Sequence, residues 1–323
     1  MRYAVRKVLT LLMTMLIVSF LAFLAFELVS GDAAVALLGT NATQERLEAL
    51  REELGLNRPF MTRYFSWLAG FFTGDLGVSF SYKIPVSGLV GQKIPATLTL
   101  SLMSFVLIVA ASIPLGMWSV RWEGRKGRVW RTIDAVRTTF NQLFMSIPPF
   151  FSGILISWVF GILLRWFQPG GAFPTPAEPG RFLWHLLFPA VAIALPRVAM
   201  TVRMLRSTII FQMNSDYVRT AISRGNDRSN VLWRHVLRNA LPPVVAFLAQ
   251  TMAEVVAGSI VVEQVFGVPG LGRLLLGGIS GRDWPVVQSI IVILAFWVVL
   301  AGTLGDLVSQ RIDPRLRLGG DGE

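Results

Sequence analysis

Six long apolar runs alternate with polar, arginine-containing segments along this chain, at roughly 8–29, 96–119, 137–164, 186–210, 240–265 and 286–308. At about 1.5 Å of helical rise per residue, each is long enough to cross most or all of a hydrocarbon layer roughly 30 Å thick. The pattern predicts an all-α membrane protein with six transmembrane helices. Proline breaks several runs, at Pro114, Pro148–Pro149, Pro196 and Pro242–Pro243. Membranes tolerate such breaks where other helices or a wet cavity satisfy the freed carbonyls. The first run follows Arg2, Arg6 and Lys7, but it is too long for a secretory h-region and lacks a small-x-small cleavage site. It therefore predicts a retained first helix.

Two amphipathic stretches fill the gap between the first two runs. Thr43 to Leu54 places Leu47, Leu50 and Leu54 on one face, with Gly55 as a stop. Phe60 to Phe72, with Tyr64, Phe65, Trp67, Leu68 and Phe71, predicts an aromatic helix at a membrane interface. Gly74-Asp75-Leu76-Gly77 then makes a turn. A lid packed on the bundle and a docking surface for a soluble partner both fit this insertion.

Charge orients the chain. Only 15% of residues are charged, against about 25% in soluble domains, and mean hydropathy is +0.58. The net charge of +11 does not point to nucleic acid, because the basic residues lie between the apolar runs. Twenty of the 30 Lys and Arg fall in the N-terminus, 121–137, 197–238 and the C-terminal tail. The positive-inside rule then makes both termini and the polar island 211–239 cytoplasmic. The expected divisions are 1–29, a cytoplasmic N-terminus with the first helix; 30–94, an extracytoplasmic helical insertion; 95–309, a five-helix core; and 310–323, a cytoplasmic tail. The absence of cysteine excludes disulfides and thiol chemistry.

The island at 214–242 reads as a short helix, a glycine break and a second helix. Asn214, Ser215 and Asp216 are good N-cap residues, and Tyr217, Val218, Ala221 and Ile222 form one apolar face. Gly225 suits a left-handed exit, and Asp227 can cap the next helix. A small Ala221, a flexible Gly225 and flanking arginines suit docking of an acidic partner; a solvated topology loop has the same composition.

Asp216-Tyr217-Val218-Arg219-Thr220-Ala221, Gly225, and His235-Val236-Leu237-Arg238-Asn239-Ala240-Leu241 resemble the "EAA" coupling loop of bacterial ABC importer permeases, in the oligopeptide/dipeptide/nickel branch. Further segments resemble that branch in order: Gly31-Asp32, Leu54-Gly55-Leu56 with Pro59, Gly74 to Ser79, Ile94-Pro95-Ala96-Thr97-Leu98, Phe188-Pro189-Ala190, Arg203 to Ser207, Val265 to Gly272, Arg282 to Gln288, and Asp313-Pro314-Arg315. Departures are Ser30 in place of a proline, Ile222-Ser223-Arg224 in place of Arg-Ala-Lys, and a short 165–185 loop. The resemblance implies a type I ABC importer permease fold in a bacterial cytoplasmic (inner) membrane. It implies a homologous second permease subunit, two cytoplasmic ATPase subunits gripping the coupling residues Asp216, Tyr217, Arg219, Thr220, Ala221, Gly225, His235 and Asn239, and an extracytoplasmic substrate-binding protein. ATP and Mg would sit on the ATPases, with no cofactor on this chain, which has no Gly-x-x-x-x-Gly-Lys-Ser/Thr loop.

Polar groups at membrane depth are pathway candidates. Glu254 stands mid-run near Gln250, where a lumen-facing position, a helix–helix hydrogen bond and a misplaced span are the alternatives. Glu263 lies near the outer end of that run, for gating or packing, while Asn141 and Gln142 are expected to open the third span. His185 and His235 fall on opposite sides and cannot share a metal. The basic loop 121–131 suits membrane lipid headgroups or a simple topology anchor. Peptides are the expected cargo class; nickel chelates, glutathione or sugars are alternatives. A membrane-embedded transferase would need clustered catalytic carboxylates or histidines, and a secondary transporter would need inverted repeats. Neither pattern is found.

Overall fold

The computed structural model describes residues 2–30, 33–38, 42–53, 55–121 and 127–312. Gly31-Asp32, Leu54, Arg125, Lys126 and the tail with Asp313-Pro314-Arg315 lie outside the described residues. Regular structure among the described residues is helical, apart from one isolated antiparallel bridge between Val78 and Pro85. The helices are α1 (Arg2–Ser30), α2 (Ala33–Leu38), α3 (Gln44–Glu53), α4 (Phe60–Thr73), α5 (Val86–Val120), α6 (Arg128–Ser146), α7 (Pro149–Ile156), α8 (Pro179–Met213), α9 (Asp216–Ser223), α10 (Arg228–Val231), α11 (Leu237–Phe266), α12 (Leu271–Ser280) and α13 (Trp284–Ile312). π-helical turns extend α7 over Ser157–Leu163 and join α10 to α11 over Leu232–Val236.

Among the described residues, five helices are long and apolar enough to cross a membrane alone: Leu9–Leu28 of α1, α5, α8, Arg228–Phe266 and Trp284–Arg311. The third expected span, 137–164, starts earlier than the apolar run and is broken at its prolines. It is two helices, Arg128–Ser146 and Pro149–Leu163, bent by 99°. Pro149 forces its predecessor out of the helical region, and Pro148 has ψ 145°. The second span also starts ten residues earlier than the apolar pattern indicates, at Val86.

The chain divides into two compact units, 1–98 with 269–299 and 99–268 with 300–323. In the first, α4 crosses α1 through an aromatic cluster. Tyr64 meets Phe20 and Phe23 edge-on, Trp67 meets Phe23, and the Tyr64 hydroxyl lies 3.0 Å from Ser19 Oγ. Arg63 pairs with Glu27 beside them. Leu9, Met13, Ile17 and Leu21 of α1 stay exposed, as a lipid-facing surface requires. Two of the ordered sequence motifs meet where Thr97 Oγ1 accepts the Leu271 amide, 2.8 Å away, at the start of α12.

In the second unit α8 is the central rod, with α6, α7 and α11 against it. Pro196 within α8 has no N–H to give the Ala192 carbonyl. Buried Ser152 of α7 compensates, its hydroxyl donating to Ala192 O at 2.9 Å while also lying 2.9 Å from Pro149 O. Antiparallel α6 and α8 are tied twice, by Arg206 to Asp134 and by Asn141 Nδ2 to Ala199 O, at 3.0 and 3.1 Å. Gly305 of α13 lies so close to Ala249 of α11 that any Cβ would overlap it.

Candidate functional site

The island between α8 and α11 is built from a buried anchor and an exposed rim. Ser215 holds the extended backbone that opens α9, although its side chain makes no cap hydrogen bond. Val218 is buried, Tyr217 is half-buried with its hydroxyl 3.0 Å from Gln212 Oε1, and Asp216, Arg219 and Thr220 are exposed. Of the expected apolar face, Ala221 is half-buried but Ile222 points outward, 47% exposed. A helix of eight residues, little more than two turns, does not bury all four apolar side chains against a single neighbour.

Gly225 has φ +83°, and the turn after α9 closes when Asn226 donates through its backbone and side-chain amides to Ala221 O, at 3.3 and 3.0 Å. An L-residue at Gly225 would be strained there, which explains the glycine. Asp227 caps α10 as expected, accepting the Ser229 amide at 2.9 Å. Val231 and Val236 are buried, whereas His235 and Asn239 are exposed. Trp233, also exposed at 55%, was not singled out in the sequence, since one tryptophan among arginines carries no periodic signal.

The mid-span polar groups do not form one cluster. Glu254 of α11 pairs with Arg197 of α8 and lies 3.5 Å from Gln250 Nε2, four residues back on the same face. Of its three expected environments, the helix–helix contact is present, and at 38% exposure the carboxylate also keeps an open side. Arg197 lies 16 residues before the end of α8 and Glu254 lies 17 after the start of α11. Both are therefore about 25 Å from the island. Arg197 falls within the basic region 197–238, and its position in the middle of an apolar run, beside Pro196, is the signal that sets it apart from the topology arginines.

Glu263 is fully buried, but nine residues from Glu254 it faces the opposite side of α11, about 14 Å further on. Asn141 does not open a span. It sits well inside α6 and binds the Ala199 carbonyl of α8, because α6 starts at Arg128, earlier than the apolar run. His185 Nδ1 lies 2.9 Å from the Arg181 carbonyl in its own helix. No group of three or more His, Cys, Asp or Glu that could hold a metal occurs among the described residues.

Residues 112–318 match the family described as binding-protein-dependent transport system inner membrane component. Residues 1–101 match the N-terminal region described for the same type of membrane component. The oligopeptide transport system permease protein AppB of Bacillus subtilis (strain 168) is 33% identical over 317 residues, covering 97% of this chain and 98% of AppB. Among solved structures, an inward-facing conformation of the MetNI methionine ABC transporter superposes with a TM-score of 0.54 at 20% identity, covering 69% of this chain and 96% of that one. A second crystal form of that transporter gives the same TM-score at 18% identity. These structures share the fold.

Proposed function

Because the chain belongs to the binding-protein-dependent transport system inner membrane component family, we propose that it forms one half of the translocation pathway of an ATP-driven ABC importer for peptides or similar small solutes. The relative named for oligopeptide transport supports the cargo class. The chain is a multi-pass membrane permease. In this reading ATP and Mg act on two partner ATPases, a homologous permease completes the pathway, and an extracytoplasmic binding protein delivers cargo to the side bearing the 30–94 insertion.

The observation that carries this reading is α9. It is a short helix seated through Val218, with an outward rim, at the junction of two membrane-length helices. A groove on an ATPase that engages Asp216, Arg219, Thr220 and Ala221 would move α8 and α11 together. The Arg197–Glu254 pair holds those helices to each other about 25 Å away. Rigid-body rocking between inward- and outward-open states then follows. On this reading both termini and the island face the cytoplasm, and Gln250 and Glu254 contact the passing solute.

The test is reconstitution of the complete transporter with its binding protein, scored by stimulation of ATP hydrolysis and by uptake. Peptides should stimulate both. Stimulation by nickel chelates or glutathione without peptides would replace the cargo class, and no ATP dependence would remove the importer reading.

A further inference from the structure

A cleft of about 610 Å³ opens within the second unit, bounded by the end of α5, by α6 and by the second half of α8. The contacts Asp134–Arg206 and Asn141–Ala199 are seven residues apart on each helix. They fix α6 and α8 as antiparallel, so the Arg128 end of one lies beside the Met213 end of the other. Arg206 and Arg203 are seven and ten residues from Met213, and Arg137 is nine from Arg128. All three guanidiniums therefore lie about 10–15 Å in from the same end. Leu195 and Phe144, at 18 and 16 residues, line the cleft about 25 Å in.

The charged side chains of the cleft thus gather toward one end, and apart from Asn141 and Gln142 its deeper lining is apolar. Asp134 is held by both Arg137 and Arg206. Arg203 is exposed and has no ion-pair partner among the described residues. A small soluble anion would leave the apolar depth empty. An apolar protein helix would bury the Arg203 guanidinium without a counter-charge, which is costly. A molecule with one anionic end and hydrocarbon behind it satisfies both parts.

We propose that this cleft binds an anionic phospholipid, with its phosphate on Arg203 and an acyl chain along Val198, Leu195 and Phe144. None of its lining residues belongs to the basic loop 121–131. It rests on α5 and α8 crossing the membrane and not on the identity of the cargo.

Trp118 lines the cleft and reports its content. The complete transporter is placed in phosphatidylcholine nanodiscs containing a graded fraction of phosphatidylglycerol or phosphatidylcholine with brominated acyl chains. The fluorescence difference from Trp118→Phe isolates the quenching of Trp118. Brominated phosphatidylglycerol should quench at a mole fraction several-fold lower than brominated phosphatidylcholine. Arg203→Gln should reduce that preference by about fivefold, and Arg203→Lys should keep most of it. Arg203 is exposed and outside the ion pairs, so these variants should fold normally, with an unchanged elution profile as the control. Equal quenching by the two lipids overturns the proposal. So does a Trp118 shielded from both, which a protein occupant would produce, or displacement of the phosphatidylglycerol by added peptide.

Discussion

Asp283 and Ser79 are 204 residues apart in sequence and hydrogen-bonded in the first unit, the Ser79 hydroxyl donating to Asp283 Oδ2. The same buried carboxylate accepts the Phe80 and Ser81 amides at 3.0 and 3.2 Å, while Ser79 Oγ accepts the Tyr82 amide at 2.9 Å. One side chain thereby organises the whole turn before α5. Asp283→Ala leaves these donors without their acceptor, and each hydrogen bond to a charged group contributes about 1.5–3 kcal/mol. We expect a lower midpoint of thermal unfolding in detergent, whereas Arg282→Ala next to it should move the midpoint much less.

Ser152 and Pro196 should be thermodynamically coupled. Removing the hydroxyl strands the Ala192 carbonyl, at a cost of about 1–3 kcal/mol. In a Pro196→Ala background the helix can supply its own amide, so Ser152→Ala should then cost less. A double-mutant cycle on denaturation midpoints measures the difference; strict additivity would mean that the serine serves some other purpose.

Breaking the Arg197–Glu254 pair from one side should be worse than removing both charges. Arg197→Met leaves a carboxylate at membrane depth, at a cost of about 1–3 kcal/mol, below that of a fully buried pair because Glu254 is 38% exposed. Arg197→Met with Glu254→Met should recover much of the folded yield on size exclusion. Glu254→Gln should change uptake of cationic relative to neutral peptides, and equal uptake of both would reject contact with the passing solute.

Gly225→Asp should leave the protein inserted in the membrane but abolish ATP-driven uptake. A φ of +83° strains any L-residue there, and a negative charge would face an ATPase groove that must accept Ala221. Immunoblots of membranes alongside uptake assays separate the two effects. Full transport by the variant would remove the coupling role of the island.

Cysteine is absent from the sequence, so single introduced cysteines report sidedness cleanly. One at the N-terminus should react with impermeant maleimide only from the cytoplasm, and Ser81→Cys only from outside. Reversed labelling would invert the orientation.

Much of this fold is legible in the sequence, because lipid imposes a length rule and proline and glycine punctuate it. α3, α4 and the Gly225 turn fall within a residue or two of where amphipathicity and breakers place them. The start of α6 was not legible, since Arg128–Arg137 is charged on one side and carries no continuous apolar run. The bend at Pro148 was marked by residue type, but its angle depends on packing. Polar partners were the least visible. Nothing local in Asp283 announces Ser79, and nothing in Glu254 announces Arg197, because both contacts are made between segments far apart in sequence.

The elbow at Ile147 has one further consequence. Pro148 and Pro149 have no amide hydrogens, so the carbonyls of Phe144 and Met145 lack the donors that a continuing helix would provide. Hydrocarbon cannot supply them, and each stranded carbonyl there would cost several kcal/mol. These carbonyls must therefore be wetted or capped by other protein groups throughout the working cycle, and bare oil is the one surrounding they cannot tolerate.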